Sequence, residues 1–452
     1  MDKQVYHTSY KINYLIIYNI YIMSSGGLNH LYSNEDTIFF LNPQITYFKS
    51  VYRKHTKFSS IDEKISSIGN SNNYGDGDVI NYNFPNHGEL ISGISLNITK
   101  KNENTIINGG SLNATYIPNN IGTALFDEIN IRHDDRQDVI EGLKSEYINF
   151  QSSLNNNRST NATYDITSDG ELVCNDGNNY QNMALTGGVI NTKYNSGSWG
   201  IEFKKINALV PIPFSITKNS GTALPVFIVG PDRSKFNIEI KKPKNLDTLF
   251  KTTGSLDILK EFNFTLIFRC IYLSPSEKRR LLFSPQEYLI EKVKYFDSNN
   301  NNLKNSNIQN IKSLANNLPL KAIYIVNNNP NYRDFSYQLK IGTLTIQDLL
   351  PHEFYSKINI MENFKGCVYK HQNVNGTFSS DKFTTVDNRI AYMPLSLKNE
   401  EGPSGCIDTS TNQLSLIISP DNTTDNDIDL YLVYYSIYIL SDNRLSFPYG
   451  NI

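Results

Sequence analysis

Few side chains in this 452-residue chain are spaced so that they could do chemistry. Asp76-Gly77-Asp78 has the spacing of part of a calcium loop, where alternate carboxylates supply oxygen ligands. The other ligand positions are not recognisable, so the segment reads as a turn. His133-Asp134-Asp135 offers an imidazole beside two carboxylates, a set that could hold a metal, but a solvated hairpin turn is the simpler reading. Cys174, Cys270, Cys367 and Cys406 show no C-x-x-C spacing and no histidine placed to complete a zinc set. They are expected to be unpaired thiols in a reducing compartment. No G-x-S-x-G, P-loop, H-E-x-x-H or glycine-rich dinucleotide motif occurs. The expectation is therefore a protein that is not an enzyme, with no catalytic residue, metal ligand or cofactor. Seven N-x-S/T sequons, at Asn97, Asn113, Asn157, Asn161, Asn263, Asn375 and Asn422, are candidate glycosylation positions. A chain this rich in Asn, Ser and Thr yields as many by chance, so they establish no secretory route.

The elements that must carry these residues read as strands. Lys and Arg number 42 against 44 Asp and Glu, a formal charge of -2, which gives no global drive toward nucleic acid or an anionic membrane. Charged residues are only 19% of the chain, so Asn, Ser and Thr must supply much of the polar surface; they favour turns and loops. Tyr, Ile, Val, Phe and Thr favour strands, and Tyr alone occurs 29 times against one Trp. Period-two alternation marks Asp78–Phe84, Glu89–Thr99 and Phe126–Arg132, followed by Asp138–Ile140, Ile201–Phe203 and Phe236–Ile240. Residues 150–198 are Asn-, Ser- and Gly-rich and read as a long surface loop. The second half opens with Phe262–Tyr272. Ser274-Pro275-Ser276-Glu277 and Ser284-Pro285-Gln286-Glu287 then place Ser at the N-cap, Pro at the first helical position and Glu at the third, so two short helical turns are expected. Further strands are expected at Lys321–Val326, Phe335–Ile341, Leu414–Ser419 and Ile428–Leu440. The fold class is all-β: two consecutive eight-stranded jelly rolls, with short helices in the connections.

The expected division is an N-terminal extension at residues 1–22, a first jelly roll at 23–245 and a second at 246–452, the boundary falling where Lys241-Lys242-Pro243-Lys244 breaks the pattern. Ile12–Ile22 is apolar but too short to span a bilayer. Either translation begins at Met23 or residues 1–22 are a short extension. In Leu209–Val226, prolines at 211, 213 and 225 argue for an extended edge or connecting element. Leu209, Ile212, Phe214 and Leu224 would then be available to pack against another subunit.

Four motifs carry a resemblance to a known family. Asn42-Pro43-Gln44-Ile45-Thr46-Tyr47-Phe48-Lys49 continues through Val51-Tyr52-Arg53-Lys54-His55-Thr56 to Phe58, shortly after Gly26-Gly27-Leu28. It also reads as a turn followed by an amphipathic helix, Ile45–Tyr52, with a buried apolar face and a basic polar face. Leu209–Val226, Ser274–Val293 and Pro403–Ser410 complete the set, in order along the chain. Together they resemble the major capsid proteins of nucleocytoplasmic large DNA viruses. In two places the chain departs from that pattern: His133-Asp134-Asp135 replaces a Gly-Gly turn, and the tail after Leu440 is not Gly-rich. The resemblance implies homotrimeric, pseudo-hexagonal capsomers tiling an icosahedral shell, with neighbouring capsomers and minor capsid proteins as partners and an inner viral membrane nearby. It implies residence in the virion, assembly in the host cytoplasm and no direct nucleic-acid binding. Three rivals are a divergent or minor capsid paralogue, a jelly-roll carbohydrate-binding protein and, more weakly, a cupin-type enzyme, which would need a clustered set of histidines.

Overall fold

Tyr, Ile, Leu, Val and Phe alternate with polar residues along many strands of this chain, which gives those strands a dry face and a wet face. In this computed structural model the described residues are Phe48 and 54–68, 79–85, 87–100, 120–133, 139–155, 163–175, 177–186, 204–218, 220–229, 236–243, 262–296, 308–310, 318–327, 332–364, 389–399, 403–409, 414–419, 428–441 and 444–446. The chain divides into two units, Met1–Thr56 and Lys57–Ile452. In the Ile45–Tyr52 segment only Phe48 is described. It sits in a turn and is 100% exposed, so it does not supply the buried face expected of that segment. Gly26-Gly27-Leu28, residues 1–22 and Asp76–Asp78 lie outside the described residues.

Within Lys57–Ile452 the strands form four sheets. One runs in the order β1 (Phe58–Ile65), β10 (Phe262–Leu273), β3 (Leu90–Lys100), β8 (Lys205–Pro211), β7 (Glu171–Asn175), β6 (Thr163–Ile166). Facing it is a sheet of β2 (Val79–Asn83), β9 (Phe236–Lys241), β4 (Glu128–His133) and β5 (Val139–Lys144). Tyr82 Oη donates across the gap to Phe264 O at 2.7 Å, and the Phe84 ring lies 5.2 Å from that of Phe268. A third sheet runs β11 (Gln286–Phe296), β18 (Ile428–Ser441), β13 (Leu320–Asn327), β16 (Ile390–Pro394), with β19 (Arg444–Ser446) on β18. The fourth runs β12 (Ile308–Asn310), β17 (Leu414–Ser419), β14 (Ser336–Ile341), β15 (Leu344–Pro351). The pairing is antiparallel throughout, except for a short parallel step from β7 to β8. Two consecutive sandwiches result, with more strands than the eight expected of each.

The third sheet is dry on both faces. Toward the fourth sheet, Ile323, Ile325, Leu430, Leu432 and Tyr434 join Tyr337, Leu339 and Leu416 in one core. On its other face Tyr324, Val326, Tyr392, Tyr431 and Val433 belong to the core of the first sandwich. Every residue of β13 is therefore buried. Its near-continuous apolar run, Leu320-Lys321-Ala322-Ile323-Tyr324-Ile325-Val326, is what two-sided burial selects.

Three sequence expectations change here. Phe262–Tyr272 is a strand, but it lies between β1 and β3 in the first sandwich rather than opening the second, because its partners were chosen by distant pairing. Within residues 150–198, expected to be loop, the chain forms β6, β7 and α2 (Asn179–Ala184), and α1 (Ser145–Asn155) runs into its start. α1 is poor in helix formers, yet it buries Tyr147, Ile148, Phe150 and Leu154, so tertiary packing overrides propensity. α2 is set by a capping box between Asn178 and Gln181. The Ser274 cap does start α3 (Pro275–Phe283), but Ser284 ends that helix instead of starting another. Gln286 turns its side chain back onto Ser284 O at 2.9 Å and pairs directly with Leu440 as β11 begins. At the turn before β3, Gly88 has φ of 77°, and a Cβ there would meet Cys270 Cβ at 2.8 Å, so glycine is required.

Candidate functional site

Leu209–Val226 is not an edge element. β8 is hydrogen-bonded between β3 and β7, and Pro211 is its last residue, where no ladder N–H is lost. The non-proline amides continue the lacing: Ile212 N donates to Ile94 O at 3.0 Å, and Leu224 and Ile91 exchange two bonds of 2.9 Å. Ile212, Phe214 and Leu224 are buried in the chain's own core, and only Leu209 is partly accessible. Intrachain packing thus accounts for the apolar surface that the sequence reading reserved for a subunit contact. Large apolar side chains that do remain exposed lie elsewhere. They include Phe58 and Ile61 on β1, Phe283 at the end of α3, Leu344 and Leu349 on β15, and Leu397 after β16.

The other candidates separate. His133 is buried against the Phe236 ring, centroids 5.0 Å apart, while Asp134 and Asp135 lie outside the described residues. Among the described residues no group of His, Cys, Asp and Glu could hold a metal ion. Cys174 and Cys270 are buried and Cys406 is exposed, with no disulfide among them; Cys367 lies outside the described residues. Of the sequons, Asn97 stands in the middle of β3 and Asn263 on β10 beside it, both half-buried in the six-stranded sheet. Asn113, Asn157, Asn161, Asn375 and Asn422 lie outside the described residues. No helix among the described residues is long and apolar enough to cross a membrane.

What the structure brings together instead is a junction between the first sandwich and the third sheet. α1 sets Tyr147 and Phe150 against Tyr324 and Tyr431, ring centroids 5.1–6.0 Å apart. Gln151 Nε2 donates to Tyr324 Oη at 2.7 Å and to Tyr147 Oη at 3.2 Å. Tyr431 Oη donates to Glu146 at 2.6 Å. Burial raises all three phenols (Tyr147, Tyr324, Tyr431), so they stay neutral. Beside them opens a cleft of about 940 Å³ between Gly93, Tyr180 and Arg269 on one side and Glu291, Tyr324 and Val433 on the other. Glu291, which lines it, pairs with Lys218 and with the buried Lys321, whose Nζ also donates to Asn399 O at 2.7 Å. Burial pushes the Glu291 carboxyl up, and the two ammonium groups more than reverse it. Sequence reasoning missed Glu141, buried on β5 next to this network. A register shift between Ile131 and Arg132 puts Ile140 and Glu141 inside together, which strict alternation forbids.

Paired antiparallel sandwiches sharing a doubly buried sheet define a double jelly-roll protein. Residues 46–258 match the family model described as major capsid protein N-terminus. The chain is 24% identical over 274 residues to the major capsid protein of Pyramimonas orientalis virus, covering 60% of this chain and 59% of that protein. It is 23% identical over 327 residues to capsid protein 1 of Acanthamoeba polyphaga mimivirus, covering 68% and 50%. The matched regions thus span little more than half the length of these relatives. In fold it is similar to the PBCV-1 virus capsid chain, with a TM-score of 0.60 and 15% identity over 90% of this chain and 100% of that one. By these comparisons the chain is similar to the major capsid proteins of large DNA viruses.

Proposed function

We propose that this chain is a structural subunit of an icosahedral large DNA virus capsid and catalyses no reaction. The supporting observation is the third sheet, buried on both faces, which joins two sandwiches into one stiff block with little freedom to flex. A shell subunit needs such rigidity, and its function lies in its surfaces. Three copies about a threefold axis present six sandwiches, which fits a homotrimer in a six-neighbour lattice. Exposed Phe58, Phe283, Leu344 and Leu397 are suited to contacts with other copies, neighbouring capsomers or minor capsid proteins. In this reading the chain resides in the virion, assembles in the host cytoplasm near an inner membrane and does not bind nucleic acid directly. Its division into two jelly rolls falls at α3, later than the break near residue 245, since β10 belongs to the first sandwich. Mass photometry of the purified protein, followed by electron microscopy under assembly conditions, tests the reading. Trimers and sheets or shells are expected; a stable monomer under every condition overturns it.

A further inference from the structure

One buried acid has no part in the assembly reading. Glu141 on β5 is 3% exposed, and its two carboxyl oxygens lie 2.8 and 3.0 Å from Ser215 N, which donates to them. Ser215 opens the short 3-10 turn Ser215–Thr217 and faces β11 as well. Its Oγ lies 3.1 Å from Glu141 Oε1 and 3.1 Å from Glu291 O, and accepts from Glu291 N at 2.8 Å. A single hydroxyl therefore ties β5 in the first sandwich to β11 in the third sheet. It has one hydrogen to give and two acceptors that want it.

We propose that Glu141, Ser215 and the Glu291 backbone form a proton-operated clasp between the first sandwich and the third sheet, closed when Glu141 is the neutral acid and loosened when it ionises. In the neutral state the Glu141 hydroxyl donates to Ser215 Oγ, leaving the Ser215 hydrogen free for Glu291 O. An ionised Glu141 can only accept. It draws the Ser215 hydrogen to itself, and the Glu291 carbonyl loses its donor from across the junction.

The surroundings favour the neutral acid. Burial pushes the Glu141 carboxyl up to about 8, and the nearby Glu291 carboxylate adds to this; the Ser215 bonds and Lys218 act in the opposite direction. Lys218 and Lys321 are both committed to Glu291. The other titratable groups around the clasp are phenols: Tyr147 and Tyr438 beside Glu141, and Tyr324, Tyr392 and Tyr435 beside Glu291. Because the folded acid keeps its proton up to about 8, while the unfolded one releases it near 4.5, this stabilisation is complete below 4.5 and is lost as pH rises through 8.

The test compares thermal and denaturant unfolding of the full chain with those of Glu141→Gln, from about pH 5 to about pH 9. Glutamine keeps an acceptor for Ser215 N and a donor for Ser215 Oγ, but cannot ionise. The two proteins should unfold alike at the acid end. The variant should then gain on the wild type by up to about tenfold in unfolding constant per pH unit, and the gap should level off above about 8. A gap that does not change with pH overturns the proposal. Infrared spectra of the wild type with ¹³C-labelled glutamate need no variant: a protonated carboxyl band present at neutral pH and lost above about 8 supports the clasp, and its absence at neutral pH overturns it.

Discussion

β13 and β15 are both eight-residue strands, yet they live in opposite surroundings. β13 lies between β18 and β16, with every residue buried. Among the described residues β15 closes the margin of the fourth sheet, pairs only with β14 and leaves Leu344 and Leu349 exposed. The backbone conformation is the same, so the difference lies in what each face meets. A strand with two dry faces holds the molecule together, whereas a margin strand with apolar side chains in water is available to another molecule. In this chain cohesion and availability are assigned to separate strands, which suits the assembly role proposed above.

The largest effect should come from breaking the shared sheet. Tyr324→Ala removes a ring packed 4.8 Å from Tyr392 and 5.3 Å from Phe150, and should cost about 3–5 kcal/mol in denaturant unfolding. Tyr324→Phe, which only takes the hydroxyl from Gln151, should cost about 1 kcal/mol and separates packing from hydrogen bonding. Phe214→Asp should yield no soluble folded protein, because Phe214 is 0% exposed; soluble monomers that merely fail to assemble would return it to the interface role. Ser274→Ala should cost about 0.5–1 kcal/mol through loss of the α3 cap, a bond of 3.5 Å. On the margin strand, Leu349→Lys should change monomer stability by no more than about 0.5 kcal/mol. A clear drop in oligomer size, read by light scattering, would then mark β15 as an assembly surface; an unchanged size would leave contacts to β1, Phe283 and Leu397. Maleimide labelling should reach Cys406 in the native protein, and Cys174 and Cys270 only on unfolding.

Much of this was legible from residue types. Val79–Asn83 and Leu414–Ser419 alternate in burial, Ile428–Leu440 is a near-continuous apolar run, and the structure makes all three strands. The Ser274 cap is local chemistry, and local chemistry is readable. What stayed hidden depends on distant partners. Nothing in Phe262–Leu273 tells which sheet it joins, and Phe58–Ile65 carries little alternation because both its faces are wet. α1 looked like loop because its Ser and Asn content is outweighed by packing it does not itself encode. Leu209–Pro225 misled because prolines were counted across the segment, when it is their placement between bonded amides that matters. Glu141 was invisible because a register shift moved it to the wrong side of the strand.

The position of β10 also bears on how the protein is made. It is the central partner of β1 and β3, yet it comes from residues 262–273, long after both have been synthesised. As the chain leaves the ribosome, β1 and β3 wait with open edges for a strand that has not yet been translated. Folding of the first sandwich must therefore lag behind its own synthesis, and that interval exposes the newborn chain to wrong pairing. A pause or truncation before residue 273 should leave an aggregating fragment rather than a folded half.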